Sequence, residues 1–236
     1  MSHPEQLQFF QIVKSHFPDH FTGGRVLEIG SLDINGSIRK HFTGGEYVGV
    51  DVAEGPGVDH VGEGQLVDFK SESFDVCASA ECLEHNPYWV ETLSNMFRMT
   101  KPGGLVVMSC ASTGRREHGT TRTSTHASPL TADLGWDYYG NVSPGMIEKT
   151  FQLEWWFSDY ELRANYQSTD TYLIGLKKPD EKPEAFRKLR ADLDKFCNPL
   201  QSFRSAMVFT SVKLGGETGA AVVRRAGRAT GILKDK

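Results

Sequence analysis

Two short apolar segments joined by a glycine-containing loop, residues 25–51, constrain the fold of this chain more than any other feature. The first segment, R-V-L-E-I, leads into a loop that contains Gly30 and Gly36, and the second, Y-V-G-V-D, ends at Asp51. Asp51 follows Glu28 by 23 residues, close to the interval at which an acid ending a second strand receives the ribose hydroxyls of a nucleoside. This strand–loop–helix–strand pattern predicts a site for a nucleotide-type cofactor.

The loop departs from the G-x-G-x-x-G pattern of dinucleotide sites. Leu32 stands where a second glycine would let a pyrophosphate approach the backbone. The carboxylate of Glu28 would repel a phosphate and suits a cationic ligand, such as the amino end of a methionine moiety. A pyrophosphate is therefore disfavoured. Taken alone, the loop is also compatible with a tight turn in which Ser31 only caps a helix.

Length and composition fit a protein built around one main core. The chain has 236 residues, of which 39% are hydrophobic, and this share suffices for a globular domain. No apolar run approaches the roughly 18 residues of a membrane helix, and the N-terminal M-S-H-P-E-Q lacks the pattern of a secretory signal. The four cysteines include no C-x-x-C pair. We therefore expect a cytoplasmic protein without a membrane span.

Charge is divided unevenly along the chain. Residues 177–236 contain 14 Lys and Arg against 7 Asp and Glu, whereas the whole chain carries a net charge of −4. The remaining residues are therefore strongly acidic, which disfavours binding to a nucleic-acid backbone. The basic end could contact an acidic partner, although such charges more often form a solvated helix face.

Short apolar strands alternate with helices, a pattern typical of a buried parallel sheet. The predicted strands are Arg25–Ile29, Glu46–Asp51, Val58–Val61, Phe74–Ala80, Leu105–Cys110, Leu153–Tyr160 and Thr169–Lys177. The predicted helices are Pro4–Phe17, Gly36–Phe42, Pro87–Thr100, Ser143–Phe151, Lys182–Phe196 and Glu217–Ala226. The pattern is lost in the polar insert 111–140, and we expect this insert to be a lid that orders on binding.

Five segments occur in a characteristic order. They are V-L-E-I-G-S-L-D-I-N-G (26–36), Y-V-G-V-D (47–51), G-E-G-Q-L-V-D-F (62–69), S-F-D-V-C-A-S-A-E-C-L-E-H (73–85) and M-T-K-P-G-G-L-V-V-M-S (99–109). In these segments the chain resembles the class I S-adenosylmethionine-dependent methyltransferases that act on small molecules. The resemblance implies a Rossmann-like, doubly wound sheet of seven strands, mostly parallel with an antiparallel last strand and helices on both faces. It also implies S-adenosyl-L-methionine as the cofactor.

The resemblance assigns cofactor-binding roles to matching positions. These positions are Glu28, Gly30, Ser31, Gly36, Asp51, Val52, Glu63, Gly64 and Ala80. Glu28 and the loop after it would surround the methionine part, and Asp51 would hold the ribose hydroxyls. Glu63 and Gly64 fall where the family often has an Asp-Ala pair that reads the adenine amino group. Glu63 and Leu32 are departures from the family pattern.

Methyl transfer from a sulfonium is an in-line displacement in which alignment supplies much of the catalysis. A hydroxyl or protonated amine acceptor also needs a base. His85 and Glu81 follow the fourth strand and are the catalytic candidates. Either residue could instead cap a helix, and His85 could simply pack under the cofactor.

The insert supplies candidate substrate contacts. These are His118, His126, Trp136, Tyr138 and Tyr139. The aromatic rings would stack on, and hydrogen-bond to, a ring or a sugar. Acids and histidines at such a mouth could bind a divalent metal, but their spacing matches no strong motif and no metal is predicted.

The sequence predicts methylation of a small molecule, with an oxygen acceptor favoured over nitrogen. The absence of an N/D-P-P-Y/F/W tetrapeptide after the fourth strand disfavours a nucleic-acid partner. The alternatives are a non-catalytic relative that binds a nucleoside or a protein, and an NAD-dependent oxidoreductase, which Leu32 and Glu28 weaken. We divide the chain into a methyltransferase domain, residues 1–178, and a basic helical appendage, residues 179–236, whose helices could support an oligomer.

Overall fold

Seven β-strands form one sheet in the part of the chain that the computed structural model describes, residues 3–200 and 202–229. The strands are β1 (Arg25–Ile29), β2 (Glu46–Asp51), β3 (His60–Val61), β4 (Phe74–Ala80), β5 (Thr100–Ala111), β6 (Phe157–Asn165) and β7 (Asp170–Lys177). Their order across the sheet is β3-β2-β1-β4-β5-β7-β6. Strands β1 to β5 pair in parallel, whereas β7 lies antiparallel to both β5 and β6. The predicted fold, with its antiparallel last strand, is confirmed.

Helices cover both faces of this sheet. They are α1 (Pro4–His16), α2 (Trp89–Met99), α3 (Pro129–Asp133), α4 (Pro144–Thr150), α5 (Leu153–Trp156), α6 (Pro183–Phe196) and α7 (Phe203–Ala229). Consecutive side chains of a strand point to opposite faces, so Val26 packs in the apolar layer with α1 and α6, and Leu27 in the layer with α2. The central strands are buried on both faces, which explains their nearly continuous apolar sequences.

Helix α1 is held on the sheet by aromatic side chains. Phe9 and Phe10 are fully buried, and the Phe9 ring stacks on Tyr172 of β7 with 4.2 Å between ring centroids. Burial of each such side chain contributes on the order of 2 kcal/mol. This packing brings Gln6, one turn earlier, to the carboxyl ends of the parallel strands.

The start of the sixth strand differs from the prediction. The segment 153–160 reads as a strand, whereas its first four residues form α5 and β6 begins at Phe157. Leu153 and Trp156 are three residues apart, and this spacing allows one helical turn to pack on the core as readily as a strand would. The prediction of a strand beginning at Leu153 is therefore wrong.

The two tryptophans of α5 lie far from the mouth of the sheet. Phe157 pairs with Lys177, at the edge where the parallel strands begin. Trp155 is 76% exposed there, and Trp156 packs on Phe97 with 5.5 Å between ring centroids. Adjacent strand residues face opposite ways, so a strand here would predict one tryptophan near the mouth; neither tryptophan approaches it.

Three smaller differences concern element bounds. The helix predicted over 36–42 is only a 3₁₀ turn, Ile38–His41, capped by the Ser37 side chain. Strand β5 begins at Thr100, so the K-P-G-G segment continues the strand instead of preceding it. The helix predicted over 217–226 is the second half of α7, which is interrupted at Gly216, where φ is 53°.

Helix α6 packs directly on the sheet. Its side chains Phe186, Leu189 and Leu193 are fully buried in the same apolar layer as α1. Residues 183–196 thus share the core of the sheet, and the division of the chain at residue 179 stays a prediction. The last part of the basic end, residues 230–236, lies outside the described residues.

None of the helices among residues 3–200 and 202–229 is both long and apolar enough to cross a membrane.

Candidate functional site

A pocket opens beyond the carboxyl ends of β1, β2 and β4, where ligands bind in open α/β sheets. Its lining includes six of the predicted cofactor residues: Glu28, Gly30, Ser31, Gly36, Asp51 and Ala80. Residues 127–131 of the insert and Gln6 of α1 close other sides of the pocket. These last contacts were not predicted, because S-P-L-T is typical of an ordinary polar turn and Gln6 of an amphipathic helix.

Glu28 is a buried acid with one neutral partner. Its side chain accepts a hydrogen bond of 2.6 Å from the Tyr47 hydroxyl, and the residue is 3% exposed. Burial raises the pKa of Glu28 to about 8, against the hydrogen bond from Tyr47 and with the help of the nearby Asp51 charge. A cationic group entering the pocket would stabilise the ionised carboxylate. Tyr47 was missed at the sequence level because it reads simply as a strand residue.

Asp51 is held by backbone amides of two loops. The Leu32 N–H donates to Oδ2 at 3.0 Å, and the Val52 N–H donates to Oδ1 at 2.8 Å. Burial raises the pKa of Asp51 in spite of these two bonds. Each carboxylate oxygen can accept a further hydrogen bond. The pair of oxygens is therefore able to receive the two hydroxyls of a ribose.

Leu32 has its own role at the position of the missing glycine. Its side chain packs against the turn after β2, since a Cβ added at Gly55 would lie 2.3 Å from the Leu32 Cδ1 atom. Its backbone N–H is directed to Asp51. The loop thus uses Leu32 to fix an acid, where a dinucleotide site would use glycine to admit a pyrophosphate.

Gly30 is required by packing as well as by the pocket. Its φ is +82°, and an added Cβ would lie 2.4 Å from the Cβ of Cys82. The loop after β1 therefore touches the loop after β4. Next to it, the Ser31 hydroxyl is buried, lines the pocket and has no hydrogen-bond partner among the described residues, so it is available to a ligand.

Three predicted cofactor residues, Val52, Glu63 and Gly64, lie outside the pocket lining. Glu63 accepts a hydrogen bond of 2.7 Å from the Gln65 side chain. Gly64 leaves no room for the alanine common in the family, because an added Cβ would lie 2.7 Å from Ile29 Cγ2. The adenine-binding role of this segment stays a prediction.

Glu81 belongs to a buried cluster of charges. The backbone of Glu81 is left-handed, with φ of 54°. The Glu81 carboxylate accepts hydrogen bonds of 3.4 Å from the side chains of Arg115 and Ser109. The same arginine pairs with Asp170 at 3.1 Å, and His3 lies 3.7 Å from Glu81 and 3.2 Å from Asp170. The catalytic role predicted for Glu81 stays a prediction, but its charge is already neutralised by neighbours that sequence reasoning missed.

The pKa values in this cluster follow from the ion pairs. Burial opposes ionisation, yet the His3 hydrogen bond and the Arg115 charge hold the pKa of the Glu81 carboxyl well below its ordinary value. Burial lowers the pKa of His3, but hydrogen bonds to Asp170 and Glu81 outweigh it and raise this pKa to about 10. These residues are charged partners of one another at neutral pH.

His85 lines the pocket beneath the insert. It ends the 3₁₀ turn Leu83–His85 and is 3% exposed. Its ring meets those of His118 and Tyr139, with centroid distances of 4.9 and 5.5 Å. An added Cβ at Gly119 would lie 2.5 Å from the His85 Cε1 atom. Burial, with a smaller effect of His118, lowers the pKa of His85 to about 3, so the imidazole is neutral at physiological pH.

The other predicted substrate residues are dispersed along the insert. Trp136 packs on Tyr88 with 5.7 Å between centroids, and Tyr138 packs against Gly140. His126 is exposed and lies 3.2 Å from the Ser124 hydroxyl. None of the five insert residues predicted as substrate contacts lines the pocket. Only His118 and Tyr139 reach His85, and the substrate roles stay predictions.

Comparison with known proteins identifies the central segment. Residues 27–108 match the protein family described as "Methyltransferase domain". Three proteins of Mycobacterium tuberculosis strains, each named an uncharacterized methyltransferase, are 41% identical over 54 residues, which is 23% of this chain and 21% of each relative. The chain thus matches about a fifth of the length of these curated relatives.

Solved structures share the fold over a longer stretch. The phosphoethanolamine N-methyltransferase 2 of Haemonchus contortus, solved with S-adenosyl-L-methionine, has a TM-score of 0.50 and 19% identity, covering 87% of this chain and 47% of that one. The YcgJ protein of Bacillus subtilis has a TM-score of 0.51 and 12% identity, covering 75% of this chain and 100% of that one. At these identities the similarity concerns the fold.

Proposed function

We propose that this chain transfers a methyl group from S-adenosyl-L-methionine to a small molecule, since residues 27–108 match the family described as "Methyltransferase domain". The observation that carries the proposal is the meeting of Glu28, Asp51 and His85 in one pocket at the carboxyl ends of the parallel strands. The two acids suit the donor, and the histidine lies on the side closed by the insert.

The pocket fits S-adenosyl-L-methionine chemically. Glu28 is a buried carboxylate without a charged hydrogen-bond partner among the described residues, and it would receive the cofactor's ammonium group. Asp51 would accept the ribose hydroxyls, and the unpartnered Ser31 hydroxyl would bond to the methionine part. When bound, the cofactor supplies a methyl group already activated on a sulfonium sulfur. The protein then needs to align an acceptor and exclude water.

We favour an oxygen acceptor over nitrogen, as the sequence predicts. His85 is a buried, neutral imidazole on the pocket wall, so it can accept a hydrogen bond from a hydroxyl and hold it in line with the methyl group. With a pKa near 3 it would be a weak base, and its contribution would be orientation more than proton removal.

The acceptor enters, in this proposal, beside residues 127–131 of the insert, which acts as a lid. The expectations of a small-molecule partner, a cytoplasmic location and an oligomer through the C-terminal helices accompany the proposal as predictions. Acid-rich composition of residues 1–176 supports a partner other than nucleic acid.

The test is a transfer assay with a labelled donor. The full chain is incubated with S-adenosylmethionine carrying a deuterated methyl group and with a broad panel of small hydroxyl and amine compounds. We expect at least one product with the labelled methyl, and at least about tenfold less of it with an Asp51→Ala variant at a subsaturating donor concentration. Cofactor binding without transfer to any compound would favour the alternative, a non-catalytic relative that binds a nucleoside or a protein.

A further inference from the structure

Glu84 is a fully buried acid without a hydrogen-bond donor. The residue is 0% exposed, and neither carboxylate oxygen has a partner among the described residues. Buried polar groups are normally paired, and a buried carboxylate is strongly destabilising unless a cation or a donor compensates it. Glu84 does not line the cofactor pocket. A cation bound next to the pocket would therefore compensate this acid.

The imidazoles of His85 and His118 lie next to the Glu84 carboxylate. Both ring nitrogens of His85 are buried and unpartnered within the described part of the chain. His118 donates its Nδ1–H to the Arg116 carbonyl oxygen at 3.0 Å. This bond fixes the tautomer and leaves the Nε2 lone pair of His118 free to bind. A hydrogen bond of this kind on the distal nitrogen is typical of histidines that ligate metals.

One ligand atom from each of Glu84, His85 and His118 lies within 4.8 Å of the others. We propose that these three side chains bind a single divalent transition-metal ion. Imidazole and carboxylate are common ligands of zinc and of iron, manganese or cobalt. Ligand atoms around a tetrahedral zinc are about 3.4 Å apart, so small side-chain movements would close the site.

A second acid–histidine group in the fold does not qualify. His3, Glu81 and Asp170 also converge, but Arg115 pairs with both acids and the Tyr172 hydroxyl donates to Asp170. That group is neutralised by the protein itself. The contrast sets Glu84 apart as the acid whose two oxygens have no partner among the described residues.

The ion would lie beside the cofactor pocket, because His85 belongs to both sites. Three protein ligands leave at least one coordination position for water. If the transfer proposed above takes place, that position could instead hold an acceptor oxygen, and this clause alone rests on the proposed function. The metal site itself makes no use of a methyl donor.

The full chain is first dialysed against a chelator and then titrated with Co²⁺. Absorption of the bound Co²⁺ in the visible range reports the number and type of its ligands. We expect one equivalent of Co²⁺ to bind and Zn²⁺ to displace it. Removing the His118 ligand should weaken binding at least about tenfold. The variants are His118→Ala and Glu84→Gln, and the matched control is His126→Ala, an exposed histidine of the same insert.

Binding of S-adenosylhomocysteine is measured on every variant to show that the pocket is intact. The metal site is supported if His118→Ala loses Co²⁺ binding but still binds S-adenosylhomocysteine, and if His126→Ala binds Co²⁺ as wild type does. The proposal is overturned if wild type binds Co²⁺, Zn²⁺ and Mn²⁺ no more tightly than His118→Ala, or if His126→Ala loses as much affinity. If wild type fails to bind S-adenosylhomocysteine, that result would instead count against the proposed function.

Discussion

The backbone N–H of Leu32 donates a hydrogen bond of 3.0 Å to the Oδ2 atom of Asp51. This bond joins the loop after β1 to the end of β2 and fixes the orientation of the acid. The residue that breaks the glycine pattern of the loop is therefore the one that positions the carboxylate.

Gly30→Ala should destabilise the protein. The left-handed backbone at φ +82° disfavours any side chain, and the new methyl would overlap Cys82 at 2.4 Å. Strain and overpacking of this kind cost about 1–3 kcal/mol each. Urea unfolding measures the loss of stability. The control is Gly145→Ala in α4, where an added Cβ meets nothing within 4 Å, and an equal loss in both variants would contradict this account of Gly30.

Binding of the cofactor product should release a proton. Burial raises the pKa of Glu28 to about 8 in the unliganded protein, so the carboxyl is largely protonated at pH 6.5. An ammonium group bound beside it would lower that pKa and drive ionisation. Calorimetry of S-adenosylhomocysteine binding in buffers of different ionisation enthalpy should show proton release at pH 6.5. In Glu28→Gln the release should disappear, and its persistence would assign the proton to another group.

The same acid should give the unliganded protein a pH-dependent stability. The pKa of Glu28 is higher in the folded protein, about 8, than its ordinary value of 4.5. The folded state thus binds the proton more tightly, and the stabilisation is complete below pH 4.5 and is lost as the pH rises towards 8. Urea unfolding from pH 5 to 8 should show a smaller decline in Glu28→Gln than in wild type. Identical slopes would contradict the assignment.

Arg115→Ala should weaken the fold strongly. The substitution leaves the buried carboxylates of Glu81 and Asp170 with His3 in place of two cations, and breaking a buried ion pair costs about 3–5 kcal/mol. Urea unfolding of the variant measures the change. Arg187→Ala is the control, because its pair with Glu184 lies on the surface and surface pairs contribute little. Similar effects of the two substitutions would refute the argument.

The insert should become less accessible to protease when the pocket is filled. Residues 127–131 line the pocket, while Arg122 in the same insert is exposed and offers a tryptic site. Saturating S-adenosylhomocysteine should slow tryptic cleavage after Arg122. Mass spectrometry of the fragments measures the rate of this cleavage. Equal rates of cleavage with and without the ligand would show that the insert is not a lid.

Much of the architecture was predictable, because apolar strands buried on both faces leave a clear pattern. The bounds of β1, β2 and β4 follow directly from that pattern. The strand predicted to begin at Leu153 was wrong because the apolar spacing of Leu153–Trp156 fits a helical turn as well as a strand. Glu28 and Asp51 were predictable as pocket residues because each lies in a short sequence motif that carries the family resemblance.

The rest of the site depends on contacts between distant segments. His3 reaches Asp170 only after α1 has packed on β7, and Arg115 reaches Glu81 only after β4 and β5 have paired. No local pattern marks such residues. The grouping of Glu84 and His85 with His118 has the same origin, since a separation of more than 30 residues matches no short metal motif.

The most direct test of the central claim is calorimetric titration of the full chain with S-adenosylhomocysteine, for wild type and Asp51→Ala. The matched control is Asp68→Ala, whose side chain is 98% exposed. We predict one binding site in wild type, unchanged affinity in Asp68→Ala, and a loss of at least about tenfold in Asp51→Ala, since hydrogen bonds to a charged group contribute about 1.5–3 kcal/mol. No binding to wild type, or equal affinity in Asp51→Ala, would contradict the assignment of this pocket to S-adenosylmethionine.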